Sequence, residues 1–319
     1  MYLRHPSKKN ALFFIKNTLN TNKQITSASQ KNNFALLLWI TLLLVLTACS
    51  TEPNSSSAQH NISKSEDHSD LIGKLVDIPS GEFLMGDDNS TQPDEHPSHQ
   101  VRVTRFRVAR TEVTLNQYQQ FVSETHYEKA SPCWGWEEAN LITKSRWTWK
   151  NPGFSQTDAH PVVCVSWEDA HAFIKWLNQK FSPTKPYRLL TEAEWEYVAR
   201  AGKHETFPWN DEPVNKFANC WTCDDAFKFT SPVGSFAANA WGIQDLSGNV
   251  WEWVQDCYSR NYLNTPLNGA AQEFSGCPSR VVRGGSWADK VGFLRSAYRL
   301  PYLAGYRNQA VGFRIAQDR

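Results

Sequence analysis

The sequence lacks an excess of charge of either sign. It has 33 Lys and Arg residues against 32 Asp and Glu residues, for a formal net charge of +1 at pH 7. The basic residues are dispersed along the chain rather than clustered in a stripe. A protein that binds nucleic acid normally carries a concentrated positive surface, so the composition argues against that class of function.

The sequence also lacks an apolar run long enough for a transmembrane helix, which needs about 20 residues. Its longest run, Phe34–Ala48, follows Lys31 and is typical of a signal peptide. The run ends in Leu46-Thr-Ala-Cys49, which resembles a bacterial lipobox. Residues 1–49 are therefore predicted to be a lipoprotein signal peptide with Cys49 as the lipidated residue. An uncleaved signal anchor is the alternative.

The residue after Cys49 is Ser50, which favours sorting to the outer membrane. We therefore expect a chain that is lipid-anchored in the envelope of a Gram-negative-type bacterium and that faces the periplasm.

Six cysteines remain after Cys49, and an even number in an exported chain predicts disulfides. Six cysteines allow fifteen pairings. We expect sequence neighbours to pair, which gives Cys133–Cys164, Cys220–Cys223 and Cys257–Cys277. An alternative for the closely spaced second pair is a redox or zinc site, although no second CxxC and no suitably spaced histidines accompany it.

The rest of the chain divides into a polar stretch and one domain. Residues 50–72 are poor in apolar residues and are predicted to be a disordered tether, and residues 73–319 are predicted to form the domain. Within it, residues 75–86 predict two strands around a Pro-Ser-Gly turn, and the alternation of Val101–Val108 predicts one half-buried strand.

Three helices are expected, each beginning after a Ser or Thr cap. They are Leu115–Glu124 after Thr114, Trp167–Lys180 after Ser166, and Thr191–Ala201, where Thr191 and Glu194 form a capping box. Loops, turns and short strands follow Gly202. The fold class is α+β with a high loop content.

Two short blocks place glycines beside tryptophans: Gly248-Asn-Val-Trp-Glu-Trp253 and Arg283-Gly-Gly-Ser-Trp287. The chain has 14 tryptophans, which either fill an irregular core or line an aromatic ligand groove. These two glycine–tryptophan blocks and five further blocks resemble the family of formylglycine-generating enzymes and sulfatase-modifying factors. Its superfamily includes pyoverdine-maturation and ergothioneine-pathway proteins. The blocks, in the family's order, are Ile78–Gly86, Thr111–Thr114, Pro161–Trp167, Arg188–Tyr197, Gly248–Trp253, Arg283–Trp287 and Gly312–Arg314. The resemblance implies a loop-rich variant of the C-type-lectin-like fold.

The resemblance also implies two structural Ca²⁺ sites. Asn219 and Asp225 match side-chain ligands of the first site, with the carbonyls of Cys220 and Phe227. Asp245 and Glu252 match the second, with the carbonyls of Gly248 and Val250. Oxygen-only ligands suit Ca²⁺ rather than zinc or copper. In the alternative reading, these Asp and Asn side chains cap their own turns.

The copper site of formylglycine-generating enzymes is not matched. Its two cysteines lie three and eight residues after the serine of the Gly-Gly-Ser block, and those positions are Asp289 and Leu294 here. Because Cu(I) prefers thiolates, copper-dependent formylglycine generation is not expected. The nine histidines, including His96, His99, His160 and His171, show no facial-triad spacing, so the sequence assigns no iron site.

Polar and aromatic residues nevertheless crowd into the segment after the Gly-Gly-Ser block, and we expect a ligand groove there. The candidate residues are Ser286, Trp287, Asp289, Arg295 and Arg299, with Tyr298, Tyr302, Tyr306, Arg307 and Asn308 nearby. In a second reading, Arg295 and Arg299 form internal ion pairs.

Two functions therefore remain open. One is an exported oxidoreductase that modifies a protein, a peptide or a small molecule without the two-cysteine copper site. The other is a noncatalytic module that binds a peptide, protein or glycan at the envelope.

Overall fold

Local capping signals place the longer helices. The computed structural model describes residues 69–129, 132–137, 140–209, 212 and 214–319. It contains four α-helices: α1 (Ser69–Ile72), α2 (Leu115–Thr125), α3 (Trp167–Phe181) and α4 (Glu192–Arg200). Thr114, Ser166 and Thr191 each form a complete capping box with the residue three positions later. The three predicted helices are present, with ends shifted by one residue at most.

The predicted tether extends too far towards the domain. The signal peptide, Cys49 and residues 50–68 lie outside the described residues, but residues 69–72 form α1. Leu71 and Ile72 are buried and pack with the core cluster that includes Phe121. Their apolar side chains join the domain even though the sequence before them is polar.

Twelve short strands complete the regular structure. They are β1 (Leu75–Ile78), β2 (Gly81–Met85), β3 (His99–Val103), β4 (Phe106–Ala109), β5 (Cys133–Glu137), β6 (Asn140–Lys144), β7 (Tyr187–Arg188), β8 (Trp251–Cys257), β9 (Ser279–Arg283), β10 (Arg299–Leu303), β11 (Val311–Phe313) and β12 (Ala316–Asp318). Short 3₁₀ helices span Pro93–Glu95, Val214–Lys216 and Val291–Leu294.

The strands form two four-stranded sheets and two hairpins. The sheet orders are β1-β4-β12-β7 and β10-β9-β8-β11, while β2 pairs with β3 and β5 pairs with β6. All these pairs are antiparallel except β11 with β8. The second sheet matters most for function, because β8 begins within the Gly248–Trp253 block and β9 leads into the Gly284–Gly285 turn.

The predicted single strand over Val101–Val108 is in fact two strands in different sheets. Residues up to Val103 pair with β2, and residues from Phe106 pair with β1 and β12. Each half buries alternate side chains, but the alternation shifts by one residue at Thr104 and Arg105, which are both exposed. This shift marks the point at which the chain leaves one sheet and enters the other.

Three disulfides lie among the described residues, and two of them link the end of a strand to a loop. They join Cys133 to Cys164, Cys220 to Cys223 and Cys257 to Cys277, which are the sequence neighbours paired above. No helix in the described part of the chain is long and apolar enough to cross a membrane.

Buried arginines hold the loops between the strands. Five arginines with side chains at most 8% exposed each meet a buried carboxylate among the described residues: Arg200–Glu196, Arg283–Glu196, Arg299–Glu192, Arg307–Asp169 and Arg314–Glu252. Several of these guanidinium groups also donate to backbone carbonyls, as Arg314 does to Ala109 at the end of β4 and to Arg110 and Gln244. These contacts satisfy backbone acceptors at strand ends and in loops.

Replacing one of these arginines should strongly destabilise the fold. Arg314→Met leaves the Glu252 carboxylate buried without its counter-ion, which costs about 3–5 kcal/mol of unfolding free energy. Chemical denaturation measures the loss. Arg319→Ala is the control, because its ion pair with Asp77 is exposed and contributes little. Equal effects of the two substitutions would contradict this account.

Candidate functional site

The Gly284–Gly285 turn directs Ser286 into the protein. Both glycines have left-handed φ values, of +99° and +74°. A Cβ on Gly284 would lie 3.0 Å from the Trp195 ring, and one on Gly285 would lie 2.7 Å from Leu294. Only glycine fits these two positions, and the turn leaves Ser286 1% exposed.

Asp289 forms the chemical centre of this segment. The Ser286 hydroxyl donates to its Oδ2 at 2.5 Å, and the indole Nε1 of Trp251 donates to the same oxygen at 2.8 Å. Burial raises the pKa of Asp289 to about 6 even though both hydrogen bonds favour its ionised form. Both protonation states are therefore populated close to neutral pH, which suits a group that gives or takes a proton.

Aromatic side chains extend from Asp289 towards the surface. We name this set the aromatic row: Trp251, Tyr298, Trp253, Tyr302, Tyr306 and Trp134. Its rings form two groups: Trp251 and Tyr298, whose centroids are 6.0 Å apart, and Trp253, Tyr302, Tyr306 and Trp134, whose successive centroids are 6.1, 4.7 and 6.2 Å apart. Its members run from buried Trp251 to exposed Trp134.

The row and the carboxyl are electrostatically linked. Burial is the main cause of the raised pKa values of Tyr298 and Tyr302, and the negative charge of Asp289 adds to both. The tyrosines therefore stay neutral and available as hydrogen-bond donors.

Two of the predicted groove arginines are committed to ion pairs, as in the second reading of the sequence. Arg295 binds Glu95 through two hydrogen bonds of 2.7 and 2.6 Å. Arg299 binds Glu192 at 2.7 and 2.6 Å, and its side chain is 1% exposed. Arg299 therefore supports the site without lining it.

Of the remaining predicted groove residues, some are engaged in internal contacts and one contacts the aromatic row. Trp287 is buried and packs edge-on against Phe154 and Phe229. Arg307 binds Asp169, whereas Asn308 donates to the Tyr306 hydroxyl at 3.1 Å and so supports the aromatic row.

The position of the second family copper ligand carries no donor atom. Leu294 is 1% exposed and lies in an apolar cluster with Trp209, Ala218, Cys220 and Cys223. A buried leucine and a carboxyl already bonded to Ser286 and Trp251 do not fit Cu(I). The only sulfur atoms in that cluster are joined in a disulfide.

The first predicted calcium set is only partly available. The Asp225 carboxylate accepts from the backbone N–H groups of Cys220 and Phe227, at 3.0 and 2.8 Å, and so caps its own turn. Asn219 differs, since its Oδ1 is buried and has no donor in the described structure.

The second predicted calcium set also contains one carboxylate that is already paired and one with an oxygen that has no donor. Both oxygens of Glu252 are occupied, by Arg314 at 2.7 and 2.5 Å and by Trp195 at 2.8 Å. Asp245 accepts from Gly234 N–H through Oδ2, and its Oδ1 is buried without a partner among the described residues. Gly248 and Val250, whose carbonyls were predicted as ligands, lie in one turn. Gly248 forms an isolated β-bridge with Asn219 of the first set.

Sequence reasoning assigned no role to Glu112, which belongs to this second region. Its Oε1 accepts from the Asn249 side chain at 3.0 Å, and its Oε2 is buried with no N–H or hydroxyl donor in the described part of the chain. A hydrogen bond between the Glu112 and Asp245 carboxyls acts to lower the pKa of Asp245. Burial, followed by the negative charge of Asp245, raises the pKa of Glu112 well above the usual range. The Thr111–Thr114 block contained this residue, but its partners are too distant in sequence for the pattern to reveal them.

The unpaired oxygens of Asp245, Glu112 and Asn219 have the chemistry of hard-cation ligands. No group of three or more His, Cys, Asp or Glu side chains converges as a metal site within the described residues. A cation here would therefore need neutral oxygen ligands as well. A cavity of about 440 Å³ lined partly by Lys203, Trp209 and Asn239 reaches Asp245.

Comparison with known proteins places these features in a family. Residues 59–319 match the model of the sulfatase-modifying factor enzyme 1-like domain. A formylglycine-generating enzyme from Mycobacterium tuberculosis is 31% identical over 306 residues, covering 78% of this chain and 99% of the relative. An inactive Cα-formylglycine-generating enzyme 2 from Mus musculus is 31% identical over 251 residues, covering 67% of this chain and 74% of the relative.

Among solved structures, PvdO from Pseudomonas aeruginosa is similar with a TM-score of 0.69 and 34% identity. The match covers 77% of this chain and 94% of PvdO. The relatives thus include proteins named as active and as inactive, so similarity alone does not decide the reaction.

The raised pKa of Asp289 predicts a pH-dependent stability. The folded chain keeps a proton on this carboxyl that the unfolded chain releases near its ordinary pKa of 3.8. Stability therefore falls as the pH rises from about 4 to 6, by on the order of 2–3 kcal/mol. Asp289→Asn should remove this loss. The unfolding free energy of the variant should therefore rise relative to that of the wild type between about pH 4 and pH 6.

Chemical denaturation at several pH values measures the difference. Asp88→Asn is the control, because its hydrogen bonds from Ser98 lower the pKa of Asp88. That variant should lose stability relative to the wild type as the pH rises, and only below about pH 4. A constant difference between Asp289→Asn and the wild type would contradict the raised pKa.

Proposed function

Because the chain belongs to the sulfatase-modifying factor enzyme 1-like family, we propose that it modifies a peptide or small molecule at Asp289 without the two-thiolate copper site of formylglycine-generating enzymes. The reaction class suggested by the family is a two-electron oxidation, in which Asp289 would take a proton and the electrons would pass to an oxidant that binds together with the substrate. The observation that carries the proposal is the protonable carboxyl of Asp289 at the inner end of the aromatic row.

The proposed roles follow from the contacts. Asp289 gives or takes a proton, and the Ser286 hydroxyl and Trp251 indole hold its Oδ2 in place. The half-buried tyrosines of the aromatic row bind flat groups of the ligand and donate hydrogen bonds. Such a surface suits the backbone and rings of a peptide or a small polar aromatic molecule.

We propose that the protein acts in the bacterial envelope, anchored through a lipid on Cys49. Three disulfides support an extracytoplasmic domain, because such bonds persist in oxidising compartments. The lipobox-like Leu46–Cys49 sequence and Ser50 support the anchor and its sorting to the outer membrane.

A second candidate is noncatalytic binding of a peptide, protein or glycan. Trp134 and Trp136 on the β5–β6 hairpin are 36% and 42% exposed, and such rings pack against sugars or peptides. The similarity to an inactive relative also favours this candidate.

We also propose a structural Ca²⁺ ion near the Gly248 turn. Asp245 and Glu112 would supply its carboxylate oxygens, because Glu252 is already paired with Arg314. The cation would neutralise two buried acidic groups that Arg314 does not balance alone.

Loading with Cu(I) tests whether the protein works without a copper site. The full-length wild type, after incubation with Cu(I) and removal of excess, should retain no stoichiometric copper and consume no oxygen with cysteine-containing peptides. The double variant Asp289→Cys, Leu294→Cys should gain Cu(I) binding, because it restores two thiolates. Stoichiometric copper on the wild type with peptide oxidation would contradict the proposal.

Ligand-detected NMR separates the two candidate functions. N-acetyl-tyrosine amide should bind the full-length protein and lose binding in Tyr302→Ala, since that substitution interrupts the aromatic row. Binding of N-acetylglucosamine that depends on Trp136 would favour the noncatalytic glycan-binding candidate instead. Phe274→Ala is the matched control, because its ring is 42% exposed and lies on the loop between Cys257 and Cys277.

Calcium should stabilise the full-length protein against heat. At a free concentration about 100 times the Kd, one site contributes about 2.7 kcal/mol, and EDTA should reverse the effect. Asp245→Asn and Glu112→Gln should abolish the rise in Tm. Asp225→Asn should retain it if the site lies at Asp245, whereas an equal loss in all three variants would contradict the proposed ligands.

A further inference from the structure

The Cys220–Cys223 loop lies directly against the loop that carries Asp289. The backbone N–H of Trp221 donates to the Asp289 carbonyl at 2.8 Å. The backbone N–H of Val291 donates to the Thr222 hydroxyl at 3.1 Å. The two residues between the cysteines therefore bind the segments on both sides of Lys290.

The same disulfide borders the other family copper position. Cys220 and Cys223 share an apolar cluster with Leu294. Of the two positions at which formylglycine-generating enzymes carry thiolates, Leu294 packs with the cysteine pair, and Asp289 accepts from the backbone of Trp221 between the two cysteines. The sulfur atoms beside the site therefore come from Cys220 and Cys223 and not from the two positions that carry the copper ligands in formylglycine-generating enzymes.

Stapling of the fold does not explain this disulfide well. The stabilisation from a cross-link grows with the length of the loop that it closes. Cys133–Cys164 and Cys257–Cys277 are separated by 31 and 20 residues, whereas Cys220–Cys223 is separated by three. The shortest loop restricts the unfolded chain least, so this bond contributes least to stability.

The surroundings of the loop suit exchange with another thiol. Trp221 is 68% exposed and lies between two cysteines that are 4% and 2% exposed. A partner thiol would reach the sulfurs only when this loop moves away from the apolar cluster that contains Leu294. The Lys290 ammonium lies 5.9 Å from the Trp221 ring centroid and adds a positive charge to the loop.

The Thr222 hydroxyl is placed to assist bond cleavage. Its oxygen lies 3.8 Å from Cys220 Sγ. A disulfide sulfur carries no proton, so the hydroxyl is the donor in this contact while its oxygen accepts from Val291. A donor at this sulfur stabilises the charge that develops when the sulfur leaves.

We propose that Cys220–Cys223 is a redox-active disulfide that oxidises a dithiol substrate. One substrate thiolate attacks a protein sulfur, which breaks the protein S–S bond and forms a mixed disulfide. The second substrate sulfur then displaces the protein sulfur. The substrate gains one S–S bond, and two electrons and two protons pass to Cys220 and Cys223. This activity is independent of the reaction proposed for Asp289.

Selective reduction of the wild-type protein tests the proposal without any substitution. The full-length protein is equilibrated with glutathione buffers of increasing reducing strength, alkylated and mapped by mass spectrometry. Cys220 and Cys223 should become alkylated in a buffer about tenfold or more less reducing than the other two disulfides require. Simultaneous reduction of all three, or reduction of this pair only after unfolding, would overturn the proposal.

Stoichiometric oxidation of dihydrolipoamide provides the second measurement. The oxidised protein should convert one equivalent, and the variant Cys220→Ser, Cys223→Ser should convert none. The matched variant Cys257→Ser, Cys277→Ser should retain the activity. Equal conversion by the wild type and the Cys220, Cys223 variant would also overturn the proposal. Asp289→Asn, with both cysteines intact, should still oxidise dihydrolipoamide, which keeps this test separate from that of the proposed function.

Discussion

Buried arginine–carboxylate pairs are the constraint on which this fold depends. Short strands and long loops leave many backbone carbonyls without ladder partners, and guanidinium groups satisfy a share of them. Arg283 shows the principle, since it binds Glu196 and also donates to the carbonyls of Ser296, Ala297 and Tyr298. Each such residue joins a helix or strand to a loop. Removing one leaves a buried charge as well as unsatisfied carbonyls.

The same network positions the candidate site. Arg283 ends β9, and its carbonyl contacts fix the segment that carries Tyr298, while the glycines after it turn Ser286 towards Asp289. Arg299 is bound to Glu192 and anchors the start of β10, which places Tyr302 in the aromatic row. The site is therefore built on rigid internal contacts, and only Asp289 and the outer aromatic rings remain for a ligand. This arrangement explains why so few of the polar residues near the Gly-Gly-Ser block are available for chemistry.

The parts of this structure that the sequence predicts are those set by neighbours. Thr114, Ser166 and Thr191 predict where their helices begin, because each side chain hydrogen-bonds to a residue only three positions away. The α+β, loop-rich fold follows from the family blocks. The partners of Arg299 and Arg314 lie 107 and 62 residues away, so no local pattern identifies them. Glu112 was missed for the same reason, because its role depends on Asp245 and Asn249, far along the chain.

Asp289 is a protonable group held by Ser286 and Trp251 at the position where formylglycine-generating enzymes carry a copper-binding cysteine. A ¹³C NMR titration of the Asp289 carboxyl in the full-length protein measures its pKa. We expect a midpoint at about pH 6, and a higher midpoint in Ser286→Ala because the Ser286 hydrogen bond lowers the pKa. A midpoint near the ordinary aspartate value of about 3.9, unchanged by that substitution, would contradict this expectation.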